Sequence, residues 1–268
     1  MELKYGTWKI SSYEPADARA LCAAGFSPIT AALLCSRGYR DAGAAREFLS
    51  CSYPLSSPFA LLDMDKAAAR VKQALSRREH IAVFGDYDVD GITATCLLTE
   101  YLRSKGGHVT SYIPARLEEG YGLNPIAIDT LKKQGVELIV TVDCGITANH
   151  EATLCRELGI DLVITDHHEC KSELPQAIAL VDPHRKDQPQ PVTEMAGVGV
   201  AFKLAAAIEG EQQSLLARFC DLLALGTVAD VMPLLGETRA IVAQGVAALQ
   251  TRPRVGVRAL LAESGAES

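Results

Sequence analysis

Acidic side chains and histidines cluster in four short segments of the sequence, each directly after a run of apolar residues. The segments are GDYDVDG at 85–91, VDCG at 142–145, TDHHE at 165–169 and VDPH at 181–184. A further carboxylate, Asp230, follows an apolar helical stretch in LGTVADVMPL, where a bare charge needs a partner. If these groups meet in one cleft, they form an oxygen-rich site that also contains imidazole.

The residue types in these segments indicate a site for divalent cations. The candidate ligands are Asp86, Asp88, Asp90, Asp143, Asp230 and the pair His167-His168. This mixture suits Mn²⁺ or Mg²⁺ better than zinc, since no cysteine lies at ligand spacing. Because so many carboxylates in one cleft repel one another, we expect two ions. Two ions about 3.5–4 Å apart clamp an in-line displacement at phosphorus and generate hydroxide at neutral pH, so the chemistry indicated is phosphoester hydrolysis.

The elements that must position these groups are visible from residue 81 onward, where short runs rich in Val and Ile alternate with helical stretches. The runs are IAVF, VTSYIPA, LIVTVDC, LVITDHH and AIALVDP. This alternation predicts an α/β fold, with a parallel β-sheet flanked by helices on both faces. Ligands of such sheets lie beyond the carboxyl ends of the strands, so the four segments should meet at one edge and face one cleft.

The regions on either side of the predicted sheet are helical in pattern. We predict a small helical N-terminal region over residues 1–62, the domain with the sheet over 63–235, and a helical C-terminal extension over 236–268. Ser27-Pro28 and Asp41 supply helix starts in the first region, and an amphipathic helix from about Met64 to Arg77 leads into the second. No closing element is predicted for the last residues, LLAESGAES.

Composition and charge limit the class of protein. Hydrophobic residues make up 48% and charged residues 22%, which is ordinary for a globular protein. No run approaches the ~20 apolar residues of a membrane span, and the N-terminus lacks a secretory pattern. The eight cysteines are scattered, which predicts reduced thiols and a cytoplasmic location. The net charge of -7 argues mildly against a nucleic-acid partner, although bound cations would neutralise a carboxylate cluster.

Several of these residues also have simpler interpretations. DYDVDG resembles the start of a calcium loop, but Leu97 occupies its twelfth position and a strand precedes it. An aspartate after a strand, such as Asp143 or Asp166, is often only a helix cap, which does not explain why every cluster falls at the same edge. Asp86 is either a ligand or an acceptor that orients the ligands, and we favour the second. Cys144 is interpreted as a small packing residue.

The histidines divide in the same way. His80, His108 and His150 are interpreted as surface or helix-end residues. The adjacent pair His167 and His168 is harder to dismiss, because neighbouring side chains at this point face different directions. One could face the metals and the other the substrate.

Taken in order, DYDVDG, VDCG, TDHHE and GTVADVMPL resemble the four motifs of the DHH phosphoesterase superfamily, named for the triplet that stands here at 166–168. Three more stretches resemble its RecJ branch of single-stranded-DNA-specific exonucleases: LCSRGYRDAGAAREFL at 34–49, IPARLEEGYGLN at 113–124 and AGVGVAFKL at 196–204. The resemblance covers nearly the whole chain from about residue 25.

The resemblance implies a role for each site residue. The metal ligands would be Asp88, Asp90, Asp143, His167 and Asp230. Asp143 would bridge the two ions, and His168 would contact the scissile phosphate or assist the leaving oxygen. Arg116 would hold the terminal phosphate and Tyr121 would stack on a base, which fits their chemistry. The alternatives are an ordinary loop charge and a packed aromatic ring.

The activity implied is hydrolysis of single-stranded DNA from its 5′ end to 5′-mononucleotides, in recombination and repair. Alternatives are a DHH phosphoesterase for short oligonucleotides, cyclic dinucleotides or pyrophosphate, a noncatalytic scaffold, and a fragment that binds metal but turns over poorly. RecJ relatives continue into a second domain with a glycine-rich, histidine-containing motif and an oligonucleotide-binding barrel, neither of which is in these 268 residues. Asp182 also stands where this branch is expected to have asparagine.

Overall fold

The computed structural model describes residues 11–116 and 119–265, and the chain divides into two units between Tyr53 and Pro54. Within residues 11–53 of the first unit there are three helices, α1 (Pro15–Ala23), α2 (Pro28–Ser36) and α3 (Ala42–Ser50). The finer boundaries expected after residues 62 and 235 remain predictions.

Both helix starts expected in the first unit are confirmed. The Ser27 hydroxyl accepts a hydrogen bond from the Thr30 amide at 3.2 Å, and the Asp41 carboxylate accepts one from the Ala44 amide at 3.0 Å. Each cap satisfies an amide that the first helical turn leaves without a partner. The helices enclose a small apolar cluster around Leu21, Ala31 and Leu34.

The second unit confirms the predicted α/β class, because five parallel strands form one sheet with helices on both faces. The strands are β1 (His80–Gly85), β2 (His108–Tyr112), β3 (Leu138–Val142), β4 (Asp161–Thr165) and β5 (Ala179–Val181). The helices before and between the strands are α4 (Met64–Arg77), α5 (Val89–Ser104), α6 (Pro125–Lys133) and α7 (Asn149–Glu157). The helices that follow β5 are α8 (Gly197–Glu209), α9 (Gln213–Ala229), α10 (Gly236–Thr251) and α11 (Val255–Glu263).

The core lies on both faces of the sheet, and β1 shows how alternate side chains divide between them. Ile81 and Val83 pack with α4, α5, α8 and α9, whereas Ala82 and Phe84 pack with α6 and α7. All six residues of β1 are buried. Burial on both faces explains why β1 and β3 are continuous apolar runs, whereas β2, at the edge of the sheet, includes polar and exposed residues.

The sheet order is β2-β1-β3-β4-β5, so the chain reverses direction across the sheet between β1 and β3. The register places Gly85 opposite Val142, Val142 opposite Thr165, and Thr165 opposite Val181. These four strand ends therefore form one row, and the next residue after each is an aspartate: Asp86, Asp143, Asp166 and Asp182. Crevices for ligands in doubly wound sheets open at such a reversal, beyond the carboxyl ends of the strands.

One expectation from the sequence is wrong, and it concerns His80. Helix α11 lies within the helical extension expected over 236–268, and it is anchored because Val257 is buried and Arg254 pairs with Asp221 at 2.7 Å. His80 is buried at the start of β1, not on the surface; its ring nitrogens lie 2.8 Å from the Thr110 hydroxyl and 3.2 Å from the Gln134 carbonyl. In the described part of the chain, no helix is long and apolar enough to cross a membrane.

Candidate metal centre

The loop after β1 turns sharply into α5 and presents three aspartates. Asp88 caps α5 by accepting a hydrogen bond from the Gly91 amide at 2.9 Å. The turn is tight: a Cβ at Gly91 would lie 2.5 Å from the Asp86 carbonyl oxygen. Asp86 is buried, and its Oδ1 has no hydrogen-bond partner among the described residues. Leu97, at the twelfth position, lies fully buried in α5, which excludes the calcium-loop interpretation.

Asp90 lies in the first turn of α5 and caps a second helix. Its Oδ2 accepts a hydrogen bond from the Gly197 amide at 2.6 Å, and its Oδ1 accepts one from the Val198 amide at 2.9 Å, both at the start of α8. The positive end of a helix dipole favours an anion at this point. Burial, together with the charge of Asp143, nevertheless raises the pKa of Asp90 to about 8. A cation beside Asp90 would stabilise its ionised form.

Asp143, directly after β3, combines burial with backbone strain. Its φ of 60° lies in the left-handed region, which is uncommon for residues other than glycine. Its Oδ1 lies 3.0 Å from the His167 Nε2, but neither atom has a hydrogen-bond partner of acceptable geometry among the described residues. Burial and the neighbouring charges of Asp88 and Asp166 raise its pKa to about 8. Strain and orphaned polar atoms of this kind are typical of functional sites.

In the 166–168 triplet, the aspartate orients the histidines. Asp166 Oδ1 accepts a hydrogen bond from the His167 amide at 2.8 Å and lies 2.7 Å from the His168 Nδ1, while Oδ2 accepts one from the Ile146 amide at 2.9 Å. Burial acts to raise the pKa of Asp166, but these bonds outweigh it and the pKa is lowered. The hydrogen bond to Asp166 raises the pKa of His168 to about 9, so this half-exposed imidazole carries a proton at neutral pH.

The last strand contributes two residues that the sequence analysis left without a role. The His184 Nδ1 lies 2.5 Å from the His167 carbonyl oxygen, and this hydrogen bond helps to hold the backbone of the 166–168 triplet in place. Asp182 is fully buried; its Oδ1 accepts a hydrogen bond from the His184 amide, while its Oδ2 has no partner among the described residues. Burial raises its pKa to about 6. The VDPH segment was the only available signal for these two roles.

The predicted ligands converge on three overlapping groups, in each of which the candidate ligand atoms lie within 4.8 Å of one another. The groups are Asp86-Asp88-Asp143, Asp90-His167-Asp230 and Asp143-His167-His168. Asp143 and His167 each belong to two groups, so they lie between two adjacent positions for a cation. Carboxylate oxygens with one or two imidazoles, and buried unpartnered atoms on Asp86, Asp143 and His167, fit a pair of Mn²⁺ or Mg²⁺ ions.

Aromatic and basic side chains line one side of this cleft. Tyr121 is 55% exposed, and its hydroxyl lies 3.4 Å from the His168 Nε2. The Arg116 guanidinium lies over the ring of Tyr87, with 4.9 Å between its Cζ and the ring centroid. Tyr87 was missed by the sequence analysis, although its place between two candidate ligands in DYDVDG was a usable signal.

Close packing between Gly197 and Asp143 gives a testable prediction. A Cβ at Gly197 would lie 2.5 Å from the Asp143 Cβ and 2.7 Å from its Oδ1, so Gly197→Ala should push α8 away from the site. We expect it to lower the unfolding free energy by about 1–3 kcal/mol, as overpacking does, and to weaken Mn²⁺ binding measured by calorimetry. Gly256→Ala, where a Cβ meets nothing within 4 Å, is the matched control. Equal Mn²⁺ affinity in both variants would contradict the prediction.

Comparisons with known proteins are consistent with this geometry. The model of the DHH family, N-terminal domain, matches residues 80–227. The single-stranded-DNA-specific exonuclease RecJ of Bacillus subtilis (strain 168) is 44% identical over 242 residues, which are 90% of this chain and 30% of that protein. The RecJ exonuclease of Escherichia coli (strain K12) is 36% identical over 259 residues, 91% of this chain and 44% of that protein.

A solved structure is similar over almost the whole chain. The crystal structure of RecJ in complex with Mn²⁺ from Thermus thermophilus matches with a TM-score of 0.77 and 33% identity, over 95% of this chain and 36% of that one. The chain thus spans less than half the length of each of these three proteins.

Proposed function

Since the chain belongs to the DHH family, we propose that it is the metal-binding part of a single-stranded-DNA exonuclease that releases 5′-mononucleotides from the 5′ end. The observation that carries the proposal is the pair of adjacent ligand groups that Asp143 and His167 connect. The named activity of the relatives, single-stranded-DNA-specific exonuclease, supports the choice of substrate. A cleft too narrow for a duplex, together with base stacking, would favour single strands.

Two cation positions are assigned to the residues of the site. Asp86, Asp88 and Asp143 would hold one ion, and Asp90, His167 and Asp230 the other, with Asp143 between them. This assignment makes Asp86 a ligand, in preference to the orienting acceptor that we favoured from the sequence. Bound Mn²⁺ or Mg²⁺ would supply Lewis acidity at the phosphate and hydroxide at neutral pH.

The remaining residues of the cleft act on the substrate. Hydrolysis adds water at phosphorus and breaks the bond to O3′ of the terminal nucleotide, so that this oxygen must gain a proton. The His168 Nδ1 lies 2.7 Å from the Asp166 carboxylate, which raises the pKa of this imidazole and suits it to contact the phosphate and to donate this proton. Arg116 would pair with the terminal phosphate, and Tyr121 would stack on a base.

An end-labelled oligonucleotide tests the proposal directly. Single-stranded DNA labelled at the 5′ end, or in a second tube at the 3′ end, is incubated with the protein and Mn²⁺. We expect immediate release of labelled mononucleotide from the 5′ label and gradual shortening of the 3′-labelled strand. A blunt duplex of the same sequence should be cut far more slowly.

Other outcomes would identify the alternatives. Faster hydrolysis of cyclic dinucleotides, very short oligonucleotides or pyrophosphate would indicate a different DHH phosphoesterase. Binding of two Mn²⁺ ions without any hydrolysis would contradict exonuclease activity in this chain and leave the metal centre in place. No metal binding would contradict the site assignment itself.

The cellular setting proposed is cytoplasmic DNA recombination and repair. All eight cysteines are free in the structure, which supports a reducing compartment. The role in recombination and repair is carried over from the resemblance to RecJ exonucleases.

A further inference from the structure

Arg116 lies at the rim of the cleft with an unusual partner. Its guanidinium rests on the face of Tyr87, and across residues 11–116 and 119–265 no carboxylate lies within salt-bridge distance of it. The Arg116 side chain is exposed. Burial raises the pKa of the nearby Asp86 carboxyl, and the positive charge of Arg116 opposes this shift in part. Among these residues, no carboxylate therefore occupies the N–H donors of the Arg116 guanidinium.

An aromatic face holds a guanidinium in a different way from a carboxylate. The attraction acts on the plane of the cation, so the N–H groups at its edge stay available to a planar or tetrahedral anion. A carboxylate in the same place would occupy those donors and neutralise the charge. Tyr87 thus fixes Arg116 without competing with a phosphate.

Tyr87 lies between the metal centre and the side chains proposed to bind the substrate. Its neighbours in the chain, Asp86 and Asp88, both belong to one ligand group. Its ring meets Tyr121 edge to face, with centroids 6.3 Å apart and an interplanar angle of 83°, and Tyr121 meets His168 at 6.2 Å and 83°. One ring therefore contacts both side chains that are assigned to the terminal nucleotide.

We propose that Tyr87 is a positioning residue for recognition of a terminal phosphate. Its ring holds the Arg116 guanidinium over the cleft and fixes the orientation of the Tyr121 ring. The proposal rests on the proposed function, because it concerns the same cleft and substrate. It assigns to Tyr87 the preference for a 5′-phosphorylated end over a 5′-hydroxyl end. The phenol hydroxyl has no part in this role, whereas the aromatic face is essential.

The test measures binding without turnover. Oligonucleotides labelled at the 3′ end, with either a 5′-phosphate or a 5′-hydroxyl, are titrated in EDTA and followed by fluorescence anisotropy. Wild-type protein should prefer the phosphorylated end by roughly ten-fold or more, as expected for a charge-assisted contact. Tyr87→Leu should reduce that ratio by about three-fold, the usual effect of a cation–π contact, while Tyr87→Phe should retain it.

A second comparison separates positioning from a general loss of structure. In an Arg116→Ala background, Tyr87→Leu should have no further effect on the ratio, because the group that it positions is gone. An unchanged ratio in Tyr87→Leu, an equal loss in Tyr87→Phe, or a wild type with no preference would each overturn the proposal.

Cleavage assays in Mn²⁺ distinguish this proposal from the proposed function. Wild-type protein that prefers 5′-phosphate ends but does not cleave, together with a reduced preference in Tyr87→Leu, would contradict hydrolysis and support the role of Tyr87. Protein that cleaves from the 5′ end without preferring a phosphate would contradict the role of Tyr87 alone.

Discussion

Asp143→Asn should eliminate metal-dependent hydrolysis, with a loss of at least roughly a thousand-fold in kcat. Asp143 belongs to the ligand group of one proposed ion, and its Oδ1 lies 3.0 Å from the Nε2 of His167, which belongs to the group of the other, so removal of its charge should weaken both sites together. Loss of about 4 kcal/mol of transition-state stabilisation, within the range that metal ions supply, corresponds to this factor. The loss is measured with 5′-labelled single-stranded DNA, and the stoichiometry of Mn²⁺ binding by calorimetry should fall below two.

Stability measurements separate this effect from misfolding. Asparagine keeps the size of the side chain and tolerates the φ of 60° at this position, whereas alanine would not tolerate it as well. Since the substitution removes a carboxyl group whose ionisation burial opposes, the melting temperature without metal should stay equal or rise. The matched control is Asp129→Asn, an exposed residue of α6 paired with Lys133, which should leave both activity and metal binding unchanged. Full activity in Asp143→Asn would show that the bridging assignment is wrong.

The metal-free protein should become less stable as the pH rises from about 4 to about 8. The pKa of Asp90 and that of Asp143 are each raised to about 8 from an ordinary value of 3.8. Within this window the folded state holds more protons than the unfolded state, so the free energy of unfolding falls with pH. A difference of one proton amounts to about 1.4 kcal/mol per pH unit, or roughly 5–10 °C in Tm between pH 6 and pH 8. His168 has the same sign, because its pKa is raised from 6.5 to about 9, so the stability that it adds is lost progressively as the pH rises between these two values.

Bound cations should remove this dependence. They keep the carboxylates ionised in the folded state, so thermal melts in saturating Mn²⁺ should show little change in Tm over the same range. Mn²⁺ binding at pH 7 should release protons, which calorimetry in buffers of different ionisation enthalpy detects. In EDTA, the fall in Tm with rising pH should be smaller for Asp143→Asn than for wild-type protein. A Tm in EDTA that is constant from pH 5 to pH 8 would contradict the raised pKa values.

Much of the architecture could be predicted from the sequence, because the patterns that indicate it involve residues close together in the chain. Buried parallel strands appear as apolar runs, and the chemistry-bearing segments follow them directly, so the edge that carries Asp143 and His167 was predictable. Helix starts at Ser27 and Asp41 were equally local. The match of the α4 bounds to Met64–Arg77 reflects a strongly amphipathic pattern.

What the sequence could not show depends on contacts between distant parts of the chain. No local pattern indicates that Asp90 caps α8 through the Gly197 and Val198 amides, 107 and 108 residues away. His80 was misassigned because burial of a polar ring depends on its partners, here Thr110 and Gln134. Helix α11 lies in the predicted helical extension, but no local pattern indicates that Arg254, at its start, pairs with residues of two other helices.

The register of the sheet limits where this chain can change in length. Adjacent strands lie about 4.8 Å apart, and this spacing sets the distance between the backbones of neighbouring aspartates in the row after Gly85, Val142, Thr165 and Val181. Asp86 and Asp143, two of the proposed ligands, are neighbours in this row. One residue inserted or deleted inside β3 would move Asp143 out of the row and turn its side chain to the opposite face of the sheet. The same change in the connection between α6 and β3 would leave the row intact. Insertions and deletions among homologues should therefore fall in the connections and spare the strands.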